Sequence, residues 1–316
     1  MKRSQFRRLM AILLRTLNRQ TARTIRQYGV PVTEAQRIEV AAALLPHIQR
    51  ARIQSYDLGV QLLRAQAREL KITPPEVQPI RPYERQAVVT LLENATRVER
   101  SPRARSQVTV DGSTPRRGRP QIDSAAPKVA VEVLDPVTRR QSRVTVEVTA
   151  QNRKDPQVVK AITVKVAAAA ERHAQMPSRE ATTDAVEAPP TEGRGEVIGW
   201  ARVMTGAETC GFCSMLASRG PVFPSEKGAR FVSKRSKRFD IREPKKFHDH
   251  CDCEVVLVRK GEDWVGREQF EALETLWKDN TGKATGMGKL RAFTAALNQE
   301  RADGNADRFF VPNPDS

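Results

Sequence analysis

All four cysteines of the chain fall between Cys210 and Cys253. Cys210-x-x-Cys213 is followed further along the chain by His248-x-x-Cys251-x-Cys253. Two thiolates at Cys-x-x-Cys spacing can grip one zinc ion while nearby backbone amides hydrogen-bond the sulfurs. Zinc takes four ligands in a tetrahedron, and the second half of the set offers three candidates for two places. Two assignments therefore compete. Cys210, Cys213, Cys251 and Cys253 make a four-cysteine site, the preferred reading, with His248 orienting a backbone or meeting a partner group. In the other, His248 joins three of the cysteines and one is left over. His250 is the weaker ligand, because it adjoins Cys251 and would have to fold back. Disulfides and buried thiols are the bland alternatives. Nothing suggests secretion, and the tight clustering favours a metal over a disulfide framework.

Between the two halves lies a basic stretch in which lysines and arginines outnumber Glu226, Asp240 and Glu243. On a loop held at both ends by metal ligands, Lys234, Arg235, Lys237, Arg238, Lys245 and Lys246 would form a cationic surface suited to phosphates. A solvated loop explains the same charges without a ligand. The whole chain leans the same way. Its net charge of +17 attracts polyanions, of which nucleic acid is the commonest. No apolar run is long enough to cross a bilayer, so no membrane partner is expected. Arg15, Arg19, Arg23 and Arg26 interrupt the N-terminal apolar segment, and no small-residue cleavage site follows it; it reads as a soluble helix rather than a signal peptide.

The elements that must position these residues are mostly helical. Residues 2–28 carry Phe6, Leu9, Leu13, Leu17 and Ile25 near one face, with lysine and arginine opposite and no acid. Such a helix can lie on DNA, on an anionic membrane or against a partner helix, or pack on its own domain. Gly29 and Pro31 end it. Thr33 and Gln36 form a capping-box pattern that opens a second helix to about Leu70, with a kink expected at Pro46. Prolines 74, 75, 79 and 82 make an extended connector before a helix over 83–98, whose buried stripe is Val88, Leu91, Leu92 and Ala95. Residues 100–127, rich in Arg, Ser, Pro and Gly, read as a flexible basic linker. Val129, Val131 and Val133, then Val144, Val146 and Val148, alternate as a β-hairpin with one buried face. Asp155-Pro156 opens a helix to about His173, followed by a separate short helix over 178–188 and a loop leading to Trp200. Val255–Val258 reads as a strand, Arg267–Trp277 and Lys289–Arg301 as helices, and the tail from Phe309 as loose.

The fold class is therefore α+β and mainly helical. A helical N-terminal region, 1–99, precedes the linker 100–127. The hairpin and a small metal-stabilised Cys/His domain occupy 128–260, and C-terminal helices and tail occupy 261–316. With 39% hydrophobic, 5% aromatic and 29% charged residues, the chain has less core material than its length suggests, which fits linkers and open helical scaffold.

Several runs together resemble minor head proteins of actinobacterial tailed phages, within the broader MuF-type head morphogenesis group. They are Gly199-Trp200-Ala201-Arg202-Val203, Cys210-Gly211-Phe212-Cys213, Leu216–Val222, and His248-Asp249-His250-Cys251-Asp252-Cys253. That group ends its domain in a His-x-x-Cys-x-Cys signature, matched by His248, Cys251 and Cys253. Arg172-His173 and the segment Arg179–Val186 also fit, so the resemblance covers about 155–258. It implies a component of the virion or procapsid, made in the host cytoplasm and associated with portal, scaffold and major capsid proteins. Packaged DNA is a further partner with which the basic composition agrees. Such proteins are often labelled capsid maturation protease.

A protease would use a cysteine as nucleophile with His248 or His250 as base. A cysteine committed to zinc cannot serve as that nucleophile, and no Ser/His/Asp set is evident. A structural role is therefore preferred, with a head maturation peptidase as the alternative. The strand–helix His/Asn pattern of a metal-supported nuclease is not evident, and a deaminase is excluded because no His-x-Glu precedes the Cys pair.

Overall fold

The protein is described by a computed structural model over residues 1–96, 128–134, 141–187, 198–206, 209–222 and 253–311. Helix α1 (Arg3–Tyr28) buries Phe6, Met10, Leu13, Leu17 and Ile25, the spacing of one helical face, while Leu9 stays exposed. It stops at Gly29, whose φ of +77° suits glycine. A side chain there would also meet Lys154 Cγ at 2.9 Å. Helix α2 (Glu34–Glu69) opens with the expected reciprocal cap. The Gln36 amide donates to Thr33 Oγ1 at 3.2 Å, and Gln36 Oε1 accepts from the amides of Thr33 and Val32. The helix runs continuously past Pro46.

Helix α3 (Arg85–Thr96) buries Val88, Leu91, Leu92 and Ala95 as its periodicity predicts. Strands β1 (Lys128–Leu134) and β2 (Gln141–Glu147) form the predicted antiparallel hairpin, with Val129 opposite Val146 and Val131 opposite Val144. The burial expected for one face of its residues 128–145 lies outside the described side chains, as the predicted linker lies outside the described residues.

Helix α4 (Pro156–Glu187) begins as expected, with Asp155 Oδ1 accepting from the amides of Gln157 and Val158. The two helices expected over 156–188 are one. Pro177 removes one backbone donor inside it, which leaves the carbonyl four residues back, on His173, without its helical partner. Arg52 of α2 supplies the replacement, donating through Nη1 to His173 O at 2.9 Å. The same helices approach so closely that a side chain at Gly59 would stand 2.6 Å from the Ser178 backbone. Packing of this closeness holds the helix across its proline.

Strands β3 (Ile198–Val203) and β4 (Glu254–Arg259) pair antiparallel, with Trp200 opposite Leu257. The predicted strand at 255–258 is borne out; the loop expected to run as far as Trp200 gives way to β3 at Ile198. The six residues of β3 are all buried, Arg202 included, so both faces are covered and no alternation marks it. Ile198, Trp200, Val255 and Leu257 line one core cluster, and Ala201, Val203, Val256 and Val258 line another. The Leu257 amide, pointing away from β3, donates to Gln66 Oε1 at 3.0 Å, which satisfies a buried edge.

Helix α5 (Gly211–Ala217) packs against α6 (Arg267–Thr281) and α7 (Met287–Ala302) around Phe293, Leu273, Leu297 and Met215. The expectation of a loose end from Phe309 is corrected for residues 309–311, and the rest of that tail lies outside the described residues. A 3₁₀ turn (Ala306–Phe309) buries Phe309, and the Val311 amide donates to Met204 O at 2.9 Å. The protein is thus mainly helical α+β, with two small antiparallel sheets among the described residues.

The chain divides into two units. One comprises Met1–Leu17, Ile48–Pro82 and Glu171–Ser316 and contains β3, β4 and the last three α-helices. The other comprises Asn18–His47 and Tyr83–Ala170 and contains α3 and the hairpin. In the second, Arg153 ties the turn after α1 to the start of α4. Its Nε donates to Val30 O at 3.0 Å, its Nη2 donates to Tyr28 O, and its own carbonyl accepts from the Val30 amide.

Candidate metal centre

Three of the five residues predicted to bind metal are described: Cys210, Cys213 and Cys253. Cys210 is the N-cap of α5, in extended conformation, and its sulfur accepts from the Cys213 amide at 3.4 Å. The next turn is fixed by Ser214, whose amide and hydroxyl both donate to Cys210 O at 3.0 Å. One helical turn thus places both sulfurs of the pair at the same end of α5. Gly211 is required between them, because a side chain there would collide with Thr294 of α7. From α7, Arg301 also holds the approach to Cys210, donating to Thr209 O at 2.6 Å.

Cys253 arrives from the other side, at the residue before β4. Arg179 of α4, itself buried, donates to its carbonyl at 3.1 Å. Cys213 and Cys253 are buried in one cluster with Leu63, Ala67, Ala185, Trp200 and Leu257, against which Cys210 packs half-buried. All three carry thiols rather than disulfide halves. Arg202 of β3 stands between them: its Nη1 lies 3.6 Å from the Cys253 sulfur and 3.9 Å from that of Cys213. The guanidinium donates to both sulfurs, which gives this buried cation two polarizable acceptors among apolar neighbours. The donor types and the amide-to-sulfur bond fit half of a zinc site.

Among the described residues, no three His, Cys, Asp or Glu side chains stand together so as to hold an ion. Cys251 and His248, which would complete the set, lie outside the described residues, as does His250. So do Lys234, Arg235, Lys237, Arg238, Lys245 and Lys246 of the predicted phosphate surface. Two site residues carry no weight in a reading by ligand spacing: Arg179 and Arg202. The signal for Arg202 was present, since it is a lone charge in the apolar run Trp200-Ala201-Arg202-Val203.

Above the cluster, Arg3 and Arg7 of α1 converge on Glu254, the first residue of β4. Arg3 Nη2 lies 2.6 Å from one carboxylate oxygen and Arg7 Nε 2.5 Å from the other. A buried carboxylate paired with two guanidiniums anchors the strand that begins beside Cys253. No described helix is long and apolar enough to cross a membrane.

The sequence is 33% identical over 151 residues to the Gene 15 protein of Mycobacterium phage D29, covering 42% of this chain and 54% of that protein. It is 31% identical over 157 residues to the Gene 15 protein of Mycobacterium phage L5, covering 41% and 53%. The chain thus spans about half the length of the relatives it matches. No solved structure matches it. The family model described as VG15 protein matches residues 117–280, which takes in the β1–β2 hairpin as well as the cysteine segment. That match extends on both sides beyond the 155–258 covered by the resemblance noted above. It covers more than half of a chain whose relatives come from bacteriophages, and the protein belongs to the VG15 protein family.

Proposed function

We propose that the protein is a structural minor head protein of a tailed phage, of MuF type, acting in procapsid assembly beside the portal. In this reading the segment 128–260 is its MuF-like domain, held together by one zinc ion. Cys210, Cys213, Cys251 and Cys253 are the ligands, with His248 beside them or in place of one cysteine. Portal, scaffold and major capsid proteins are its partners. The basic stretch from Lys234 to Lys246 faces packaged DNA.

One observation carries the reading. Cysteines forty residues apart in sequence, Cys213 and Cys253, both reach one buried guanidinium, so the two halves of the cysteine motif meet in one cluster, and this supports the metal reading. Their burial also favours structural ligands over peptidase nucleophiles, which must reach a protein substrate. The phage origin of the relatives agrees with a virion component.

Elemental analysis of the purified full-length chain tests the metal. About one zinc per chain is expected, lost together with the folded state on chelation. A metal-free chain that is fully folded would falsify the zinc assignment. Mass spectrometry of purified phage particles and procapsids tests the location, and absence from both removes the head-protein reading. Incubation with the phage's major capsid protein separates the peptidase alternative. Cleavage lost in a folded Cys213→Ser variant would establish that alternative instead.

A further inference from the structure

Every charged residue of α1 is basic, yet the structure sorts them into two sets. Arg3 and Arg7 turn inward onto Glu254. Arg8, Arg15, Arg19, Arg23 and Arg26 are exposed, and among the described residues none of the five has an acidic partner within ion-pair distance. Their spacing places all five within roughly 80° of arc, in a stripe about 27 Å long at 1.5 Å per residue. Arg15, Arg19 and Arg23 are successive i,i+4 neighbours, so their like charges repel along the helix. Local stability does not explain such a stripe, and a ligand that neutralises it relieves the repulsion.

We propose that this stripe is a docking surface for the phosphate backbone of duplex nucleic acid. Three observations select that occupant. First, the apolar face of α1 is already buried in the protein through Phe6, Met10, Leu13, Leu17 and Ile25. An interfacial membrane helix needs that face to insert, so a bilayer cannot take it without unfolding the protein. Second, α1 contains no acidic residue, and therefore lacks the mixed signs by which a helix selects one protein partner and register. Third, arginine forks match phosphate oxygens bidentately, and a long single-sign row suits contact with a regularly charged polymer without reading its sequence. The inference deepens the DNA part of the proposed function. It rests on residues other than those from Lys234 to Lys246.

The test is fluorescence anisotropy of a 30-base-pair random-sequence DNA duplex titrated with the full chain at several salt concentrations. The triple variant R15Q/R19Q/R23Q is compared with R50Q/R64Q/R68Q, which removes the same charge from exposed positions of α2. The α1 variant is expected to bind at least about tenfold more weakly, with the slope of log affinity against log salt smaller by about 2 to 3. The α2 variant is expected to bind as the parent does, and R15K/R19K/R23K to keep the parent's salt slope with somewhat weaker binding. Equal losses in the α1 and α2 variants, or an unchanged slope in the α1 variant, overturn the proposal. Stripe-dependent binding to polyglutamate or to phosphatidylserine vesicles, without binding to DNA, overturns it too.

Should the glutamine variant fail to fold, arginine-specific chemical modification of the parent chain decides. DNA must protect Arg15, Arg19 and Arg23 and leave Arg50, Arg64 and Arg68 reactive; the reverse pattern overturns the stripe. Changing Lys234, Arg235, Lys237 and Arg238 to Gln separates the two readings. DNA binding abolished there and retained by the α1 variant sinks the stripe and leaves the proposed function standing.

Discussion

Arg52 Nη1 donates a hydrogen bond of 2.9 Å to the carbonyl oxygen of His173, the acceptor that Pro177 deprives of its own helical partner. A side chain on α2 thus completes the backbone of α4. Replacing Arg52 with Met removes this donor from a part-buried carbonyl and is expected to cost about 1–3 kcal/mol in urea unfolding. In a Pro177→Ala background, the restored amide takes the carbonyl, and the same replacement should cost about 1 kcal/mol less. Strict additivity of the two changes would mean that Arg52 does not serve this carbonyl.

His173 itself predicts a pH dependence. Burial, then the charges of Arg172 and Arg52, push its pKa down to about 4 from 6.5. Its Nε2 lies 3.1 Å from Arg172 Nη2, a contact that suits the neutral ring as acceptor. Between those two pH values the unfolded chain takes up a proton that the folded chain refuses. The stabilisation is therefore complete above the unfolded pKa and is lost as pH falls toward 4, amounting to about 2–3 kcal/mol. Denaturation measured at pH 7.0, 5.5 and 4.5 should show a steeper loss in the parent than in His173→Gln. Parallel curves would contradict this.

Glu254 gathers Arg3 and Arg7, and all three are largely buried. Glu254→Gln leaves two cations facing a neutral amide and should destabilise the protein by about 2–4 kcal/mol, less than a fully buried pair would lose. Release of the first turns of α1 should make the N-terminus the first site of proteolysis. A cleavage pattern like that of the parent would show that the apolar face alone holds the helix.

The capping box at Thr33 closes locally. Thr33→Ala should cost about 1 kcal/mol in thermal or urea unfolding, with no change in zinc content or DNA binding. A loss beyond about 2 kcal/mol would mean that Thr33 does more than cap α2.

How much was legible follows from the range of the interactions. The ends of α1 and α2, the start of α4, the stripe of α3 and the register-forming valines of the hairpin depend on neighbours within a few residues. Caps, glycine turns and periodicity record such interactions directly, so a mainly helical α+β chain can be read from the order of residues. That order also confines the four thiols to one segment, which bounds the chemistry before any geometry is known.

The rest came with the folding of distant segments onto one another. That folding carried α4 through Pro177, because Arg52 is more than a hundred residues away in the chain. It made a strand of Ile198–Val203, because both faces find apolar cover that no alternation announces. It divided the arginines of α1 into two that serve Glu254 and five that face solvent. And it brought Cys213 and Cys253 to Arg202. The physical reason is common to all four: the deciding partner is distant in sequence, and a burial or a charge pair exists only once the chain has closed around it.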